Sequence, residues 1–291
     1  SQEGRLSPGD TVYIMAGTYT EPIIARNTGQ PGNPITYRAV GEVIINPTED
    51  LPVYSSETTI NGFTDDGKQC RGLYLINISY ITVEGFSFIL SGRWVRAYEA
   101  DYNIIKDNTF DGATAGYTRG IFLSYSDYNI ITGNSLNDPG DGGNGDSMVL
   151  EHSHKNLIYD NTFLDAGHAT FAIRCSNENV FRDNYVNNKG TNKGGEIYQL
   201  CDGTDCRTER NLVENNIIRS EEDFEDPSVE SSIQYAGQKG IIRKNLFYDN
   251  YGGFKWALYS GSYGCAHPPY EAYHNYQNRM YNNVFYDNRH T

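Results

Sequence analysis

Tyr102-Asn-Ile-Ile-Lys-Asp-Asn-Thr-Phe110 is followed 26 residues later by Tyr128-Asn-Ile-Ile-Thr-Gly-Asn-Ser-Leu136. The two stretches share one nine-residue pattern, x-Asn-apolar-apolar-x-x-Asn-x-apolar. The same pattern starts at Tyr80, Lys155, Glu178, Arg210, Lys239 and Gln277, so eight copies run through the chain. Successive copies are separated by 22, 26, 27, 23, 32, 29 and 38 residues. A constant core at variable spacing describes equal coils with insertions at particular corners. The apolar residues alternate or pair as in strands, with no helical period. The pattern predicts an all-β chain, a right-handed parallel β-helix with loop insertions, formed by residues 1–291 as one solenoid domain.

Asn fills the seventh position in Asn108, Asn134, Asn161, Asn184, Asn216, Asn245 and Asn283, and Phe86 stands there in the first copy. Asn tolerates a left-handed backbone and bonds neighbouring peptides. Stacked at one bend it forms a ladder along the solenoid, a structural role. A second strand precedes each copy: Leu73–Ile76, Val95–Tyr98, Ile121–Ser124, Met148–Glu151 and Phe171–Arg174. Leu75, Ala97, Leu123, Leu150 and Ile173 form its inward column. Ile76, Tyr98, Ser124, Glu151 and Arg174 form the outward one, with Gln199, Gln234 and Lys255 expected to continue it.

The chain has 23 Lys and Arg against 37 Asp and Glu, a net charge of −14. That argues against a nucleic-acid partner, which needs a cationic face, and gives no attraction to anionic lipid. No apolar run is long enough to span a membrane. Ser1 to Asp10 lacks the pattern of a signal peptide. Neither end offers a cap, so a longer native polypeptide is expected. Five cysteines are an odd number. Cys201 and Cys206 either close a small loop or remain buried thiols.

The repeats resemble those of the pectate lyase and polygalacturonase superfamily of β-helix proteins over residues 70–286. The opening is similar to the first coils of alginate lyase and chondroitinase-B-like proteins. It reads Gly9-Asp-Thr-Val-Tyr-Ile-Met-Ala-Gly17-Thr-Tyr19, then Thr28-Gly-Gln-Pro-Gly-Asn-Pro34-Ile-Thr-Tyr-Arg-Ala39. These resemblances imply a polysaccharide ligand and a secreted, extracellular or cell-surface location. Gly145-Asp146-Ser147 and Gly167-His168 resemble elements of polygalacturonase-type hydrolases. Ser147 replaces their second acid, and Arg119 stands where a further Asp is expected.

Polar groups concentrate between residues 138 and 202. Lyase chemistry needs a base for the proton α to a uronate carboxylate, a cation for that carboxylate, and an acid for the leaving oxygen. Glu151, His152 and His168 are candidates for base and acid, and Arg174 for the cation. Glu151 and Arg174 are expected side by side on adjacent coils, either as a site or as a surface ion pair. Asp138, Asp141 and Asp146, around a Gly-rich loop, suit Ca²⁺ or simple solvation. Tyr98, Tyr125, Tyr198, Tyr235 and Tyr259 are candidates to stack on sugar rings, and Gln199 and Lys255 to bind substrate. The leading expectation is a polysaccharide lyase. The alternatives are a glycoside hydrolase on the same fold and a non-catalytic carbohydrate-binding or structural β-helix module.

Overall fold

A computed structural model describes residues 5–47, 59–60, 63–64, 71–89, 93–112, 119–137, 145–187, 195–198, 208–219, 232–250, 252, 254–256 and 277–288. The described chain is all-β, and its coils wind as a right-handed parallel β-helix. Each nine-residue repeat makes two short strands with a bend between them, as in Ile104–Lys106 and Thr109–Asp111. Equivalent strands of successive coils pair in parallel, Ile104–Lys106 with Ile130–Thr132 and Thr109–Asp111 with Ser135–Asn137. These stacks join the long strands Thr11–Tyr19 and Ile35–Ile45 in one 18-stranded sheet. The strands that precede the repeats form a separate nine-stranded sheet.

Apolar repeat positions stack in the interior, where Phe88 lies on Phe110 at 4.9 Å and Phe163 meets Phe181 at 5.6 Å between ring centroids. The expected inward column is in register and buried from Leu75 to Ile173. Area removed from water at every coil is the main stabilising term.

The Asn ladder exists, with one correction to the bend. The left-handed residue is the one before Asn: Asp107, Gly133, Asp160, Asp183, Asn215, Lys244 and Asn282 have φ of 54–65°. That turn directs the next side chain inward, so Asn108 to Asn245 are buried. Each Asn Oδ1 accepts the backbone N–H of the equivalent residue one coil earlier, as Asn108 does from Phe86 and Asn161 from Asn134, both at 3.0 Å. The second repeat position builds another ladder, Asn103, Asn129, Asn156, Asn179 and Asn211. Both satisfy backbone groups that the bends remove from the sheets.

The outward column needs a second correction. Arg174 is in register with Tyr198, while Gln199 lies outside the described residues. Gln234 and Lys255 continue the neighbouring column through Ala172 and Glu196. The longer insertions after residue 187 hide this shift in the sequence. Tyr235, expected to meet sugars, is fully buried in the core beside Phe254.

Candidate functional site

The site lies on the outer face of the nine-stranded sheet, on strands Arg119–Ser124, Asp146–Glu151 and Phe171–Arg174. Its floor is apolar: Phe122, Val149 and Ala172 are neighbours across the strands and are buried. Gly120 lets the first strand approach, because a Cβ there would stand 2.5 Å from both the Trp94 ring and the Ser147 carbonyl oxygen.

Asp146 is the hub. Its side chain is 5 % exposed, with Oδ1 2.8 Å from His168 Nδ1 and Oδ2 accepting from Arg174 Nη2 at 3.1 Å. His168 is held there by its own backbone N–H, which donates to Gly145 O at 2.9 Å. A carboxylate at Nδ1 favours the tautomer with the proton on that nitrogen and the lone pair on Nε2. Buried carboxylates persist when paired in this way.

Two arginines cross the floor in opposite directions. Arg119 is in register with Asp146, yet its Nη1 lies 3.4 Å from Glu151 Oε2. Arg174 is in register with Glu151, yet it donates to Asp146. Glu151 and Arg174 are therefore adjacent, as the repeat spacing predicts, but each makes its ion pair at the opposite end of the strand.

His152 stacks on Tyr125, with ring centroids 4.8 Å apart and planes within 1°. Tyr98 meets Tyr125 edge-on at 5.9 Å. Burial, then Glu99, pushes the Tyr98 hydroxyl above the ordinary value, so it stays a donor. His154 is part of the scaffold: its Nδ1 accepts the backbone N–H of Asn177 at 3.0 Å. Asp138 and Asp141 lie outside the described residues, as does Gln199, and of Lys255 only the backbone register is described.

Sequence reading misses three arginines. Arg93, Arg96 and Arg119 gather on the Phe122 ring, their Cζ atoms 5.5, 4.4 and 4.5 Å from its centroid. The signal was available for Arg96 alone, two residues before the outward Tyr98 and in register with Phe122 one coil later, since strict alternation places Arg93 on the inward side. Cys175, next to Arg174, is disulfide-bonded; the other four cysteines lie outside the described residues.

Coils, ladders and a polar site on one outer face define a right-handed parallel β-helix protein. The chain belongs to the NosD family, described as periplasmic copper-binding protein, whose model matches residues 3–200. Among curated proteins none matches significantly. Solved structures share the fold at low identity. An alginate lyase from Paenibacillus sp. str. FPU-7 superposes with a TM-score of 0.67 at 14 % identity, over 98 % of this chain and 93 % of that one. A DFA-IIIase from Arthrobacter chlorophenolicus A6 gives 0.51 at 15 % identity, over 78 % of this chain and 53 % of that one. The pectate lyase Pel9A gives 0.50 at 13 % identity, over 86 % of this chain and 69 % of that one.

Proposed function

We propose that the chain is a carbohydrate-active enzyme that cleaves a uronate-containing polysaccharide by β-elimination. The observation that carries this reading is the bridging carboxylate of Asp146, between His168 and Arg174. With its Nδ1 proton held by Asp146, His168 presents Nε2 as the base that takes the proton α to the sugar carboxylate. The freed electron pair forms a double bond to the β carbon. The bond from that carbon to the glycosidic oxygen breaks, and the leaving oxygen is protonated by water. Arg119 and Arg174 supply the positive charge that stabilises the enolate-like carboxylate.

A hydrolase is less well supported. Ser147, at the position of the second hydrolase acid, is fully buried.

The family description raises copper. Copper sites draw on imidazole and thiolate or thioether ligands. Among the described residues no three His, Cys, Asp or Glu side chains converge. His154 Nδ1 is bonded to Asn177, His168 Nδ1 faces Asp146 and Cys175 is oxidised. These residues do not fit a copper centre, and the reaction above uses none. The Ca²⁺ reading rests on Asp138 and Asp141 and stays a proposal for a cation beside the Gly-rich loop.

The disulfide at Cys175 supports an oxidising compartment, outside the cell or in the periplasm. Among the described residues no helix is long and apolar enough to cross a membrane. A panel of acidic and neutral polysaccharides tests the reading. Ultraviolet absorbance from an unsaturated uronate is expected. New reducing ends without that absorbance would replace the lyase with a hydrolase, and no product from any glycan would leave a binding or structural module.

A further inference from the structure

Each repeat opens on a residue in the left-handed region, and in three successive coils that residue is tyrosine. Tyr80, Tyr102 and Tyr128 have φ of 58–59°, a conformation that disfavours bulky side chains. Lys155, Glu178, Arg210, Lys239 and Gln277 take the same bend in the later coils, so the fold requires no aromatic there. The three rings stack along the solenoid, with centroids 5.0 and 4.8 Å apart and planes within 4°. Rings in contact at about 3.5 Å reach such a centroid spacing only when slid past one another. Each therefore leaves part of a face uncovered, as roof tiles do. Tyr102 and Tyr128 are 42 % and 39 % exposed. Lys155 ends the column, its Nζ over the Tyr128 ring and donating to Tyr128 Oη at 2.9 Å. That bond uses a lone pair of the hydroxyl and leaves its O–H to donate. Desolvation, then Tyr128 and Tyr80, push the Tyr102 hydroxyl above its ordinary value, so it too stays a donor.

Asp101 and Asp127 directly precede Tyr102 and Tyr128 and are half-buried. Each uses Oδ1 to accept a backbone N–H of the next coil, from Asp127 and from His154, both at 2.7 Å. Oδ2 of each remains to accept from outside. Uncovered ring faces suit C–H groups, and carboxylates beside phenol O–H groups suit hydroxyls. The set recurs once per coil, at about 4.8 Å, which suits a repeating polymer. The two carboxylates disfavour an anion. We propose that Tyr80, Tyr102 and Tyr128, with Asp101 and Asp127, form a docking strip for a neutral, hydroxyl-rich saccharide laid along the solenoid axis. The strip lies on the corner between strands Arg119–Ser124 and Ile130–Thr132 and their equivalents one coil earlier. It shares no residue with the Asp146, His168 and Arg174 cluster, so it does not rest on the lyase reading. Its role is to hold the protein on a neutral glycan while the outer face of the nine-stranded sheet stays open.

The test is affinity electrophoresis of the full chain through gels that hold soluble galactomannan, xyloglucan, mixed-linkage β-glucan or polygalacturonate. Retardation in at least one neutral gel is expected. The apparent Kd should be about tenfold weaker in the double variant Tyr102→Gln, Tyr128→Gln, through the loss of two ring contacts. Gln is the residue the last coil carries at this bend, and the thermal transition checks folding. Tyr128→Lys, which continues the residue of the next coil, is a milder second variant and should give a loss of the same sign. No retardation of the wild type in any neutral gel, or equal retardation of the wild type and both variants, overturns the strip. Retardation by polygalacturonate alone, abolished in the variants, does so as well. Wild-type dimers in sedimentation that the variants dissolve, without retardation in any gel, would put a second copy in the saccharide's place. The two readings fail separately. A chain that cleaves no glycan yet loses neutral-gel retardation with Tyr102 and Tyr128 keeps the strip and loses the lyase, and a chain that cleaves polyuronate without any neutral retardation does the reverse.

Discussion

Arg174 stands opposite Glu151 in the strand register, yet its guanidinium bonds Asp146 at the far end of the same strand. Arg119 makes the mirror-image choice, from the register of Asp146 to Glu151. The Arg119 guanidinium lies over the ring of Phe122, which with Val149 and Ala172 makes the apolar floor. The arrangement gives the buried carboxylate two partners and leaves Glu151 at the more exposed end.

Asp146 is predicted to separate chemistry from folding. Asp146→Asn keeps the shape but removes the charge that fixes the His168 tautomer, and activity on polyuronate should fall by about 10²–10⁴. Asp146→Ala leaves Arg174 buried without this partner and should cost roughly 3–5 kcal/mol in urea unfolding. Equal activity of wild type and Asp146→Asn would show that the pair is structural.

The ladder predicts a contrast between neighbouring residues. Asn161 accepts from Asn134 and donates to Ile131 O and Asn184 Oδ1, all buried. Asn161→Ala should cost at least about 3 kcal/mol, since several groups lose partners at ~1–3 kcal/mol each. Asp160, with φ of 54°, occupies the left-handed bend. Asp160→Gly should be neutral or stabilising by up to about 1 kcal/mol, and Asp160→Val clearly destabilising. Urea midpoints of the three variants check this.

His154 and His168 should behave oppositely. His154→Ala orphans the Asn177 N–H and should lower stability by about 1–3 kcal/mol while the remaining folded enzyme keeps its turnover. His168→Ala should abolish turnover with little change in the unfolding curve. Turnover and urea curves measured on both variants separate the two roles.

Glu84 predicts an acid-dependent loss of stability. Burial alone pushes its carboxyl up, but Lys106 and Arg38 outweigh that and hold it below the ordinary 4.5. A carboxylate depressed in the folded state stabilises above its unfolded value, and that contribution disappears as pH falls through the folded one. From about pH 4.5 downward the wild type should therefore lose stability faster than Glu84→Gln. Parallel pH profiles of the two would contradict the assignment.

Much of the fold is legible in the repeat because Asn and the apolar positions recur at fixed offsets whatever the insertion length. The bend was misplaced by one residue. Asp, Asn, Gly and Lys all occupy the left-handed position, so composition conceals what the constant Asn suggests. The site was half legible. Strand register brings Glu151 beside Arg174, but side chains as long as arginine reach about two coils or several residues along a strand, and register does not say which acid they choose. Phe122 as a mount for three arginines depends on the same reach. Tyr235 and the Gln234–Lys255 column failed for a different reason, since unequal loops after residue 187 break the count on which register rests.

The most direct test of the account is the initial rate of ultraviolet absorbance on polyuronate, measured side by side for wild type, Asp146→Asn, His168→Ala and Arg174→Ala. The account predicts an unsaturated product from the wild type and a rate reduced by about 10² or more in each variant. A wild-type rate in His168→Ala, with the product still unsaturated, would contradict it.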